Sequence, residues 1–186
     1  DVRRMLLTQR VIAEGGRAMV VYASQFADLY GGGKTEQVRS DAEARLGFCT
    51  PILKGFITEL GVEAANHGVQ VFGGHGYIKE WGMEQILRDS RIATIYEGTT
   101  GIQALDLVGR KVLLDKFRQL NLFTGDMLKF AGQFVPWKSQ GKSKMLRRQA
   151  WAVAKLALKW SYLGYRLAMR AKKNADNVGA ASVDFM

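Results

Sequence analysis

Met5, Ile12, Met19 and Phe26 recur at seven-residue intervals, with Val2, Thr8, Gly15 and Tyr22 beside them on the same seam. A repeat of seven with a companion three or four positions away draws one stripe along a helix, and no strand can gather it on one face. The pattern predicts a single amphipathic helix over residues 1–29. The run Tyr30-Gly31-Gly32-Gly33-Lys34 should stop it, because three glycines in a row have little power to hold a helix. The rest of the chain favours the same class. It has only two prolines in 186 residues, it is rich in Ala, Leu, Arg and Lys, and it lacks the Val and Ile runs of a sheet protein. The expected fold is all-α, a bundle of antiparallel helices.

A second helix should span residues 34–67, with Pro51 either kinking it or starting a new segment, and Gly68 as its end cap. A glycine-rich loop covers residues 70–83, and a short helix covers residues 83–93. After a break at Tyr96–Gly98, Thr99 or Thr100 is placed to N-cap a fourth helix over residues 101–120. A loop over residues 121–141, with Pro136 and a Gly-Lys-Ser linker, then leads into a long helix over residues 143–174. The tail Ala175 to Met186 is expected to fray. Residues 1–120 read as one helical domain and 121–186 as an extension.

Several function classes fall away on composition. The lone Cys49 permits no internal disulfide, and His67 and His75 lack cysteines or paired acids at ligand spacing. His67 reads as helix-end packing, and His75 as a turn residue or interface contact. No uncharged apolar run reaches membrane-spanning length. The chain opens on helix-forming residues, which suggests a piece of a longer protein in a reducing, cytoplasmic setting.

Two stretches invite chemistry. Glu97 directly follows the apolar run Ile92-Ala93-Thr94-Ile95-Tyr96 and directly precedes Gly98-Thr99-Thr100. One reading is an acid near a helix N-terminus, favoured by the helix dipole. The other is a general base whose apolar neighbours raise its proton affinity. In that reading Gly98 lets a substrate near the backbone, and Thr99 and Thr100 offer hydroxyls and N–H groups to a polar cofactor. Spacing alone leaves both open. The stretch "QVFGGHGY" from Gln70 to Tyr77 lacks the dinucleotide fingerprint G-x-G-x-x-G and no strand precedes it. Gly73, Gly74 and Gly76 suit either a helix-ending turn or a surface where backbone approaches a phosphate or ribityl chain. Arg88, Asp89 and Arg91 read as structural bracing.

Taken in order, "QVFGGHGYIKEWGMEQILRD" and then "IYEGTTGIQ" resemble the C-terminal helical domain of the acyl-CoA dehydrogenases, over roughly residues 1–118. In that family a Gln-x-x-Gly-Gly-x-Gly loop precedes an Arg-Asp helix and then Tyr-Glu-Gly-Thr. The form "EGTTGIQALDLVGRKVL" with a long extension is most similar to the large 3-methylmercaptopropionyl-CoA dehydrogenase-like subgroup. The resemblance implies an FAD-dependent enzyme that converts an acyl-CoA thioester to trans-2-enoyl-CoA. It makes Glu97 the base that takes the α-proton, while hydride leaves the β-carbon for the flavin. It puts Tyr96 in the acyl pocket and Gly98, Thr99 and Thr100 against thioester and FAD. It brings Gln70, Gly73 and Gly74 to the adenosine half of FAD in a neighbouring subunit. Gly101 departs from the family, standing where many members have Gln, although Gln103 remains. The family further implies a homo-oligomer, dimer or tetramer, and an electron-transferring flavoprotein as acceptor.

The extension adds charge. The net charge is +10, and from Trp137 to Ala175 there are eleven Lys or Arg and no acid. Lys144, Arg148, Lys155, Lys159, Arg166, Arg170 and Lys173 fall on one stripe of a helix, opposite Leu146, Val153, Ala157, Trp160, Leu167 and Ala171. A bundle helix with one solvated face is the favoured reading. The alternative is a non-catalytic scaffold of the same family that binds DNA or an anionic membrane through this stripe. The segments of the family that sandwich the flavin do not occur in these residues. The isolated chain is therefore predicted to purify colourless and without turnover; a flavin absorbance band on the purified sample would contradict this.

Overall fold

The structure is a computed structural model describing residues 1–135 and 143–186, and Pro136 and the linker residues Gly141 and Lys142 lie outside the described residues. All regular elements among the described residues are helical, as the composition predicts. They gather into two compact units, residues 1–104 with Met186, and residues 105–185.

In the first unit, α1 (Val2–Gly32) packs against α2 (Glu36–Ile52) and α3 (Thr58–Phe72), and α3 against α4 (Met83–Ile92). The seven-residue seam is real. Met5, Ala23 and Phe26 are buried, with Tyr22 edge-on to the Phe26 ring at 5.0 Å, while Val2 and Gly15 of the expected seam are exposed. The helix runs further than expected, through Gly31 and Gly32. It stops at Gly33, which turns to an extended backbone as its N–H bonds the Leu29 carbonyl at 2.9 Å. Thr35 caps α2 by accepting from the Val38 N–H.

Pro51 does not break the second helix at its own position, since helix runs through it to Ile52. It brings no N–H to the ladder, and the chain answers with one wide π-turn, Leu53–Ile57, before resuming α-helix as α3. Thr58 stitches that turn, donating to the carbonyls of Lys54 and Gly55. Gly68 is not the end cap. It lies buried inside α3, where an added Cβ would meet the Met83 side chain at 2.6 Å, so it is the seat on which α4 packs. The cap is Gly73, at φ 60°, a conformation other residues adopt only under strain.

The expected fourth helix is divided. The short α5 (Thr100–Leu105) passes into a π-helical stretch, Asp106–Leu114. Lys116 and Phe117 then turn through positive φ, with Phe117 stacked on Tyr165 at 4.4 Å between ring centres. The loop expected over 121–141 is instead largely helix α6 (Arg118–Gly132), with Asp115 accepting from the Gln119 N–H at its start. Its pattern of Leu120, Phe123 and Met127 was masked by Gly125, and tertiary burial outweighs the propensity lost there.

α7 (Lys144–Ala171) starts on a Ser143 cap and packs against α6 and α8 (Asp176–Phe185). The tail therefore does not fray. Phe185 is buried, and its carbonyl accepts from the Trp160 indole at 3.0 Å. The basic stripe of α7 is exposed along its length, and Ala157 and Leu167 opposite it are buried, though Leu146 is not. That is the solvated face of a bundle helix. No helix among the described residues is long and apolar enough to cross a membrane.

Cys49 is fully buried, and burial pushes its thiol from 9.0 up to about 12. Between these values the unfolded chain has lost the thiol proton and the folded chain has kept it. Stability from this group is therefore complete below about pH 9 and falls by roughly 1.4 kcal/mol per pH unit above it. Thiol reagents at pH 8 should leave the native chain unlabelled and label it after urea; prompt native labelling would contradict the burial.

Candidate active site: the turn at Glu97

Helix α4 ends at Ile92, and the chain winds through Ala93–Tyr96 with the Tyr96 N–H still held by the Ile92 carbonyl at 3.2 Å. Thr94 is buried and locks this turn, donating to the Arg91 carbonyl and meeting the Arg91 guanidinium. Asp89 accepts from Gln85. Arg91 thus braces as expected, whereas the partner of Asp89 is an amide.

The backbone then reverses. Glu97 sits at φ 54° and Gly98 at φ 98°. For an L-residue such as Glu97 the left-handed region costs about 1–2 kcal/mol, so something must hold it there. Three tethers do. The Lys54 ammonium, carried by the π-turn, donates to the Ala93 carbonyl at 2.7 Å. The Thr100 hydroxyl donates to Glu59 Oε1 on α3 at 2.6 Å. The Gln103 carboxamide, one turn into α5, donates to the Glu97 carbonyl at 3.3 Å. Gly98 makes room for this last bond, since a Cβ there would lie 2.7 Å from Gln103 Nε2.

The carboxylate itself is exposed, as are its neighbours Ile95 and Tyr96, at 48% and 51%. The apolar run does not enclose Glu97, contrary to the expected desolvated setting. These side chains spread outward at the end of α4, and no second layer covers them within this unit. Tyr96 lies under the Lys54 ammonium, 5.5 Å from the ring centre.

The glycine loop is a separate feature. Gln70 is exposed near the end of α3, and its carbonyl receives the Gly73 N–H. Glu59, which holds Thr100, stands near the other end of α3, ~16 Å away along the helix axis. The residues expected to hold a cofactor therefore divide into two groups, Thr99 and Thr100 at the turn and Gln70, Gly73 and Gly74 at the loop. An added Cβ on Gly73 or Gly74 would meet nothing within 4 Å, so their backbone is bare. Gly76, in contrast, is buried against the Val69 carbonyl. His75 stands edge-on to Trp81 at 5.2 Å, and His67 lies inside α3 beside Glu63 at 3.7 Å. Among the described residues no three metal-ligating side chains cluster.

Sequence reasoning missed Lys54 and Glu59. Each lies some forty residues from the residue it bonds, and only the folding of the π-turn and α3 beside the turn brings them together. Thr100 was expected to face a cofactor, but its hydroxyl proton is committed to Glu59, leaving only lone pairs to accept.

Residues 1–113 match the family model described as "Acyl-CoA dehydrogenase, C-terminal domain". Among curated proteins, a 3-methylmercaptopropionyl-CoA dehydrogenase of Ruegeria pomeroyi is 50% identical over 66% of this chain and 21% of its own length. The broad-specificity linear acyl-CoA dehydrogenase FadE5 of Mycobacterium tuberculosis is 35% identical over 70% of this chain and 21% of its own length. A butyryl-CoA dehydrogenase of Syntrophomonas wolfei is 32% identical over 73% and 24%. The chain thus spans between about a fifth and a quarter of these relatives.

The turn's strain makes its glycines unequal. Gly98→Ala, forced to hold φ 98° and displace Gln103, should lose about 1–3 kcal/mol of stability in urea unfolding. Gly74→Ala, with open space at the Cβ, should stay within about 0.5 kcal/mol of the parent. Equal effects at the two positions would contradict this geometry.

Proposed function

The chain belongs to the acyl-CoA dehydrogenase family, and we propose that it is the base-bearing helical part of a flavoenzyme that oxidises an acyl-CoA thioester to trans-2-enoyl-CoA. The observation that carries this reading is the turn at Glu97. Backbone strain is maintained at an exposed acid by two long-range tethers and one local one, and that arrangement suits presenting a carboxylate to something that docks on it.

In this reading Glu97 removes the α-proton of the thioester through a carboxylate oxygen. A carboxylate alone is too weak for that, so the Glu97 N–H donates to the thioester carbonyl and stabilises the charge developing there. The cover that excludes water comes from outside this chain, which is why Ile95, Tyr96 and Glu97 are exposed here. Tyr96 and Gly98 then line the acyl side of the closed site.

The residues present fit FAD. Gly73 and Gly74 offer open backbone, Gln70 an exposed amide, and Thr99 an exposed hydroxyl, with Thr100 able to accept. Bound FAD supplies the hydride acceptor for the β-carbon. Because the two groups lie at opposite ends of α3, they meet different parts of the cofactor or two different copies of it. The second option fits a homo-oligomer in which the glycine loop serves a neighbour. An electron-transferring flavoprotein as acceptor and a cytoplasmic setting complete the reading, with residues 121–186 as an extension.

Glu97→Gln in the complete flavoenzyme should lower turnover by about two to four orders of magnitude. Flavin content, read from its absorbance, should not change. Wild-type turnover in this variant would reject Glu97 as the base.

A further inference from the structure

We infer that Gln103 is a positioning residue for the base, its carboxamide fixing the 97–98 peptide from which the Glu97 side chain is aimed. The inference rests on Glu97 being the base and goes beyond it, to the residue that sets the direction of attack.

Three features meet at this position. Gln103 alone among the three tethers bonds the peptide of Glu97 itself; Lys54 holds the turn four residues earlier, and Thr100 holds the start of α5. The Gln103 N–H bonds the Thr99 carbonyl at 3.0 Å, which starts α5 directly after the turn. Side chains in a first helical turn lean toward the N-terminus, so one at position 103 reaches back over residues 97 and 98. Gly98, lacking a Cβ, leaves the amide just enough space to arrive.

The chemistry needed at 103 is narrow. The acceptor is a carbonyl, so the side chain must donate. A carboxylate of the same length cannot, and would repel Glu97. Asparagine donates but is one methylene short. Without the bond, Glu97 is free to leave the left-handed region, and the carboxylate swings with its backbone. The loss falls on proton abstraction and leaves thioester binding nearly unchanged, because Gln103 itself has no contact with substrate in this scheme.

The test uses the complete flavoenzyme reduced anaerobically by an acyl-CoA substrate, with Gln103→Met, isosteric but without a donor, and Gln103→Asn. Both should reduce flavin about tenfold or more slowly than the parent, with KM within about twofold and flavin content unchanged. The rate difference between α-deuterated and ordinary substrate should be at least as large as in the parent. Parent-like reduction by both variants alongside an inactive Glu97→Gln would overturn the role of Gln103 and leave the base assignment standing. Loss of flavin in both would also overturn it, showing a structural role. An active Glu97→Gln would remove the base reading and this inference together.

Discussion

A peptide turn held at positive φ at two successive residues, Glu97 and Gly98, is the constraint on which the candidate site depends. The strain in it is about the size of one or two hydrogen bonds, and it is offset by bonds from three different places in the chain. α3 and the π-turn before it contribute Lys54 and Glu59, and α5 contributes Gln103. The wide turn Leu53–Ile57 that follows Pro51 carries Lys54, whose ammonium reaches the Ala93 carbonyl.

Much of this architecture was legible in the residues. The seven-residue seam placed α1, and the glycines and threonines around Glu97 placed both the break and the start of α5. The exposed basic stripe of α7 also followed from periodicity, because a charge on a 3.6-residue period has only one way to avoid burial. Where the reading failed, tertiary structure overrode local preference. Gly31 and Gly32 stay helical, held at the end by the Gly33 bond to Leu29. Gly68 resembled a stop signal, yet its small size serves close packing of α4. Gly125 disguised α6, and the unpromising tail folds as α8 because Phe185 finds a buried place beside Trp160.

At the candidate site, the order of residues marks the turn and the glycine loop but not the bonds that hold them. Glu97, Gly98 and the glycine loop announce themselves by composition. Nothing in the order of residues says that Thr100 would spend its proton on Glu59, or that Lys54 would reach Ala93. The exposure of Glu97 is the instructive departure. Apolar neighbours in sequence became exposed neighbours in a turn, so the proposed base role requires a second surface to exclude water. An acid that is solvated until its partner docks costs the isolated helical part nothing in desolvation.

That closing step is the claim most open to direct measurement. Carbodiimide labelling of carboxylates, read by mass spectrometry, reports how exposed each acid is. In the isolated chain Glu97 should label as fast as Glu80, an exposed acid of the 3-10 turn Lys79–Trp81. In the complete flavoenzyme holding a non-reactive acyl-CoA analogue, Glu97 should be protected at least about tenfold while other exposed acids of α1 label as before. Equal labelling of Glu97 in both states would contradict the account, because a carboxylate that stays in water is never brought to the thioester.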